Sequence, residues 1–91
     1  MNNNRRKILS KKVEELENIK SQLEDIAGEI EGVRDEEDEA YSNMPDGLQM
    51  SERGDAMQEN IDSMDNVGSN IDDIISQLND TIDELQEIID K

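Results

Sequence analysis

The chain has 91 residues, of which 25 are acidic and 9 basic, and its formal net charge is −16. Only 32% of the residues are hydrophobic, and a domain of this size buries only about 60–65% of the surface that its unfolded chain exposes, so a compact monomer is not expected. Disorder and an elongated helical assembly are the remaining choices. The acidic excess repels nucleic acid and anionic membranes, so we expect neither as a direct partner; a basic protein remains compatible.

The first residues are basic, with Arg5, Arg6, Lys7, Lys11 and Lys12 preceding every acidic residue. Amphipathic sequence follows them instead of an apolar signal core, and no run of about 18 apolar residues occurs. We therefore expect a soluble protein of the cytoplasm.

The first half of the chain carries a heptad pattern that predicts a helix over about residues 5–42. One predicted core position holds Leu9, Leu16, Leu23, Ile30 and Met44, and the other holds Ile19, Ile26, Val33 and Ala40. Lys12 and Glu37 interrupt these two columns. Gly28 and Gly32 are interpreted as tolerated surface glycines, with close approach of another helix as the alternative.

Residues 43–50 are predicted to form a turn. Pro45 disfavours helical geometry at Met44, and the Pro-Asp-Gly sequence is typical of turns. Ser51 is the expected N-cap of the next helix, with Asp46 as a competing start. We expect Leu48 and Met50 to fold back over this tip.

The second half predicts a helix over about residues 51–90 with a broader apolar stripe. Its two core columns hold Met57, Met64, Ile71, Leu78 and Leu85, and Ile61, Gly68, Ile75, Ile82 and Ile89. A third column holds Val67, Ile74 and Ile88, and a stripe this broad needs more than one covering helix. The chain is therefore predicted to be a single all-α domain, residues 1–91, in which an antiparallel, coiled-coil-like hairpin assembles into a four-helix bundle or higher oligomer, as a dimer or tetramer.

Antiparallel pairing also suits the charge distribution. It places the basic start beside the acidic end of the chain, where we expect attraction to Asp83, Glu84, Glu87 and Asp90. The acidic run from Asp35 to Glu39 has no histidine, cysteine or lysine nearby to complete a catalytic mechanism, and it lacks calcium-loop and di-iron spacing. We expect no enzymatic activity, cofactor or metal.

The tip offers the candidate binding residues. We expect Arg53 to lie level with Tyr41 and Glu37, and Arg34 to lie level with Asn60. One interpretation is a salt-bridged cap that fixes the hairpin register; the other is a recognition patch, since an aromatic ring and two guanidinium groups suit an anionic ligand or a protein interface. The candidate partner- or ligand-binding residues are Arg34, Glu37, Tyr41, Asn43, Pro45, Ser51, Glu52 and Arg53.

The stretch RDEEDEAYSNMPDGLQMSERG, residues 34–54, resembles a group of short, acidic, helical proteins of phages and prophages that carry an R-D-E-E-x-E-A-Y-x-N-M-P-x-x-L-Q-x-S-E-R-G line. The matching residues are Arg34, Asp35, Glu36, Glu37, Glu39, Ala40, Tyr41, Asn43, Met44, Pro45, Leu48, Gln49, Ser51, Glu52, Arg53 and Gly54. The resemblance covers about a quarter of the chain and implies a small phage accessory protein without an assigned activity, acting in the host cytoplasm.

Three hypotheses of function follow. The first is a homo-oligomer that binds and sequesters a host protein, such as a defence protein. The second is an oligomeric sponge for a small anionic ligand such as a nucleotide immune signal, and the third is a coiled coil with a purely structural role.

Overall fold

The computed structural model describes residues 1–91 and contains two long helices and one short helix. Helix α1 spans Asn3–Ser42, α2 spans Asp46–Gln49 and α3 spans Glu52–Asp90. The long helices run antiparallel, in a body of 69 × 15 × 13 Å. The prediction of an all-α helical hairpin is confirmed. No helix has the length and apolar content needed to cross a membrane.

Local sequence explains where the helices begin and end. The Asn2 side chain accepts a hydrogen bond of 2.8 Å from the Arg5 N–H, so α1 begins two residues earlier than predicted. Asn43 is the C-cap of α1, and Pro45 follows it, as expected of a residue that disfavours helix. Ser51 is the N-cap of α3, as predicted. Both candidate starts occur, because Asp46 opens the short α2 before Ser51 opens α3.

The core of the hairpin is a single seam, which we describe with heptad letters in which a and d are the core positions. In α3 the predicted columns are confirmed, with Ile61, Gly68, Ile75, Ile82 and Ile89 at a and Met57, Met64, Ile71, Leu78 and Leu85 at d. In α1 the d column is the predicted one, including Glu37. Val13, Ile61 and Ile82 are the buried hydrophobic residues, so this seam is narrow and short of fully buried side chains.

The prediction for the second core column of α1 was wrong. Its a positions hold Arg6, Val13, Lys20, Ala27, Arg34 and Tyr41. The predicted residues lie at the g position, where Ile19, Ile26 and Val33 are about half exposed and Ala40 is also exposed. The prediction chose the more apolar of the two columns. Lys20 and Arg34 can nevertheless occupy core positions, because their aliphatic stems pack against the other long helix while their charged ends reach water.

Two different sides flank the seam. Because the helices are antiparallel, the e positions of both helices lie on one side of the hairpin and the g positions of both lie on the other. The g side carries half-exposed aliphatic residues, and we call this side the apolar face. Its residues are Ile19, Ile26, Val33, Val67, Ile74 and Ile88, and Ile8 lies next to them. The e side carries the carboxylates that we call the acidic face: Glu17, Glu24, Glu31, Asp38, Asp65 and Asp72.

The open end of the hairpin makes fewer ionic contacts than predicted. The Arg6 guanidinium donates a hydrogen bond of 2.9 Å to the main-chain carbonyl of Lys91, which confirms the antiparallel alignment. Lys12 pairs within its own helix, with Glu15 at 3.1 Å. The predicted ion pairs with Asp83, Glu84, Glu87 and Asp90 do not form.

Candidate functional site

The hairpin tip is held together by a close approach between α2 and the first turn of α3. A Cβ atom built on Gly54 would lie 2.1 Å from the carbonyl oxygen of Gln49 and 2.7 Å from that of Leu48. Both neighbours are backbone atoms, which cannot swing aside as a side chain can. Gly54 is therefore required for contact between the two elements, a role that the sequence analysis did not assign to it.

Several of the candidate site residues form the turn itself. The carbonyl oxygen of Pro45 accepts hydrogen bonds from the N–H groups of Leu48, at 2.9 Å, and Gln49, at 3.1 Å. The Gln49 side-chain amide donates to the carbonyl oxygen of Tyr41, at 2.9 Å, and so joins the end of α1 to α2. The N–H of Asn43 donates to the carbonyl oxygen of Glu39 at 3.0 Å and closes the last turn of α1.

Ser51 connects α2 to α3. Its hydroxyl oxygen accepts a hydrogen bond from the Gly54 N–H, at 3.4 Å, and the hydroxyl donates to the carbonyl of Leu48. The contact with Gly54 satisfies a backbone N–H in the first turn of α3 that has no partner within the helix, which explains why a serine serves here. The predicted cover of the tip is absent, because Leu48 is 49% and Met50 86% exposed.

Arg34 is engaged with carboxylates of its own chain. Its Nε atom lies 2.8 Å from Asp65, and its Nη1 atom lies 3.3 Å from Asp35 and 3.8 Å from Asp38. The hydrogen bond that Arg34 donates to Asp65, together with the attraction of the same carboxylate, raises the pKa of Arg34. The guanidinium is therefore held on the acidic face as part of an ionic cluster between the helices.

The predicted register at the tip was wrong by several residues. Glu37 accepts a hydrogen bond of 3.2 Å from the Asn60 side-chain amide, not a salt bridge from Arg53, and Arg34 reaches Asp65 instead of lying level with Asn60. Helix α3 begins at Glu52, as predicted, so the difference lies in how far the two long helices are offset along the seam and not in where α3 starts.

The recognition patch of one aromatic ring and two guanidinium groups is not assembled within one chain. Tyr41 is half-buried at an a position, and Arg34 points to the acidic face. Arg53 occupies a g position, on the opposite side, is exposed and makes no hydrogen bond or ion pair; Glu52 beside it is exposed in the first turn of α3. These candidate residues are brought to the same end of the molecule but not to one surface.

The acidic face borders an open groove of about 410 Å³ between the two helices. Its walls include Glu31 and Asp35 of α1, Asp65 and Asp72 of α3, and Arg34 between them. Gly68 leaves space at its floor, because a Cβ there would meet no atom within 4 Å. Four carboxylates surround one paired guanidinium, so the groove attracts cations and repels anions. No group of three acidic side chains is arranged to hold a metal ion.

Comparison with known proteins does not assign the chain to a family. No protein-family model matches the chain, and comparison with curated proteins and with solved structures finds no significant match.

Proposed function

We propose that the protein is a non-enzymatic binding protein that sequesters a basic partner protein on its acidic face. The observation that carries this proposal is the separation of the two sides of the hairpin. Carboxylates from both helices line one continuous side, while the other side is aliphatic.

The acidic face is suited to attract a partner from a distance. Two cations lie on this side, and both are already paired: Lys20 with Glu24, and Arg34 with Asp65, Asp35 and Asp38. They weaken the negative electrostatic potential of the acidic face without offering a binding site for an anion. A like-charged surface of this kind raises the association rate of an oppositely charged protein, and its effect falls steeply with ionic strength. Salt dependence is therefore the signature of the proposed interaction.

The tip supplies the end of the proposed interface. Asn43, Glu52 and Arg53 are exposed there and leave side-chain groups free for a partner, whereas Pro45 and Ser51 form the turn. The resemblance of residues 34–54 to phage proteins supports the finer part of the proposal, which is that the partner is a host protein, such as a defence protein, in the host cytoplasm.

No observation in one chain favours the sponge for anionic ligands. The groove beside Arg34 repels anions, and Arg53 lies on the other side of the hairpin. A thermal-shift screen against nucleotides tests this alternative directly, because a ligand that binds only the folded protein raises Tm with its concentration.

The proposed function is tested by capture from a host lysate with two matched triple variants. The first, E24Q/E31Q/D72N, removes three charges from the acidic face. The second, D25N/D73N/D80N, removes three charges from the outer f positions, which face away from the groove. Each capture is performed at low and at high salt, with helix content checked by circular dichroism.

We expect the wild type and the outer-face variant to recover the same partner at low salt, and the acidic-face variant to lose it. High salt should release the partner, because exposed charges are screened beyond about 10 Å at 0.1 M ionic strength. Recovery of no specific partner, or equal loss with both variants, would count against the proposal.

A further inference from the structure

The apolar face is exposed in a pattern that is unusual for a two-helix hairpin. Helix α3 carries aliphatic residues at a, d and g, and α1 carries them at d and g, whereas a two-stranded coiled coil needs them at a and d alone. Apolar residues at a, d and one flanking position are typical of helices in a larger bundle. The surplus residues are half exposed and recur every seven residues in α1, and in α3 they do so with one interruption, at Thr81.

The rows lie nearly level across the hairpin. The contacts of Arg6 with Lys91 and of Glu37 with Asn60 define the register between α1 and α3. In this register Ile74 lies three residues, or about 4.5 Å, from the level of Ile26, and the neighbouring rows follow at intervals of about 10.5 Å, the rise of seven helical residues. The face is thus an aliphatic band, interrupted at Thr81, with a mostly polar rim at the c positions.

We propose that the apolar face binds the same face of a second copy, with the two hairpins antiparallel, to form a four-helix bundle. The exposed area supports an occupant of this size. The chain exposes 6717 Å², whereas a compact monomer of its mass exposes about 5,400 Å². A standard interface buries about 800 Å² per partner, so the excess is sufficient for a stable dimer.

Charge complementarity identifies the occupant and its orientation. In the antiparallel arrangement, the row of Val33 in one copy meets the row of Ile88 in the other, and Lys12 at the open end comes between Glu29 and Glu36 on the rim of the second copy. A parallel dimer would instead place the two acidic tips side by side. Like charges across an interface suppress that arrangement.

A single two-fold axis relates the two copies in the proposed dimer. Rows at the two ends of the face exchange places in the antiparallel dimer, and the central rows of Ile19 and of Ile26 with Ile74 meet each other, so every aliphatic row is covered by one operation. The acidic face remains exposed on both outer sides. Self-association and binding of a basic partner therefore use different surfaces and can fail independently.

The oligomeric state is measured by analytical ultracentrifugation of the wild type, of I26D/I74D and of M50D. The wild type should sediment at twice the chain mass of 10.4 kDa. I26D/I74D should raise the dimer Kd on the order of 100-fold or more, because each dimer would bury four unpaired carboxylates. M50D changes a residue that is 86% exposed at the tip, away from the apolar face, and should remain dimeric.

Orientation is measured separately on the otherwise unchanged chain, which has no cysteine of its own. Spin labels at E39C should lie about 50 Å apart along the axis of an antiparallel dimer, and labels at D25C, near the centre, less than about 15 Å apart along it. A monomeric wild type, a dimer that is insensitive to I26D/I74D, or E39C labels that lie level with each other would overturn the proposal.

Discussion

Substitution of Gly54 by alanine tests the account of the hairpin tip most directly. Glycine in a helix is usually a weakness, and replacing it by alanine normally stabilises a helix by about 0.5–1 kcal/mol. At Gly54 the added Cβ would lie 2.1 Å from the Gln49 carbonyl oxygen and 2.5 Å from its carbonyl carbon. Helix α2 must therefore move away from α3, or α3 must lose its first turn.

The size of the effect follows from what must move. Overpacking of this kind costs about 1–3 kcal/mol, and here it also disturbs the Ser51 cap, whose hydroxyl bonds to the N–H of Gly54. For a domain of under 100 residues, 1 kcal/mol corresponds to roughly 4–8 °C in Tm. We expect G54A to lower Tm by roughly 5–20 °C.

Gly28 supplies the matched control. It is exposed within α1, and a Cβ there would meet no atom within 4 Å. The same substitution, G28A, should raise the free energy of unfolding by about 0.5–1 kcal/mol. Both variants are measured by thermal and urea denaturation, followed by circular dichroism at one protein concentration, because the Tm of an oligomer depends on concentration. Equal stabilisation by G54A and G28A would refute the close approach of α2.

Further predictions concern the seam, the cap and the ionic cluster. Ile61 is 1% exposed, so I61A should lower the free energy of unfolding by about 2–5 kcal/mol. M50A, at an exposed site, should change it by less than about 0.5 kcal/mol, and similar losses for the two variants in urea titrations would contradict the described core. S51A should cost about 1 kcal/mol by loss of the N-cap, and S51D should retain most of that stability; an equal loss in both variants would argue against capping. R34Q and D65N should each lower Tm at low salt, and by less at high salt. In a double-mutant cycle their effects on stability should not add, because the two groups share one contact of 2.8 Å, and strict additivity would exclude their coupling.

The candidate site shows where prediction from sequence was limited. The candidate residues were assigned to one end of the hairpin, and they do lie there, because turn chemistry at Pro45 and capping at Ser51 are local properties. Whether they share a surface depends on helix register. The observed register differs from the predicted one by several residues, so Asn60 meets Glu37 and Asp65 meets Arg34, a result that residue types alone did not indicate.

The role of Gly54 was missed for a related reason. Its requirement arises from the backbone of Gln49, and nothing in the local sequence distinguishes it from Gly28, which faces open space. A close approach between two elements is a tertiary property, and it can be recognised only when both backbones are in place.

The sequence by itself determined the two long helices, their antiparallel pairing and the surplus of apolar surface. These features depend on heptad periodicity, a single proline and two matched lengths, all of which are written into the order of residues. Only the tertiary structure decided which column of α1 enters the seam. The column that packs in the seam holds Val13, Lys20, Ala27, Arg34 and Tyr41. The more aliphatic column lies outside the seam and holds Ile19, Ile26 and Val33. The physical reason is that a helix has one face toward a given neighbour, and the direction of that face is set by the neighbour's position as much as by the helix's own hydrophobicity.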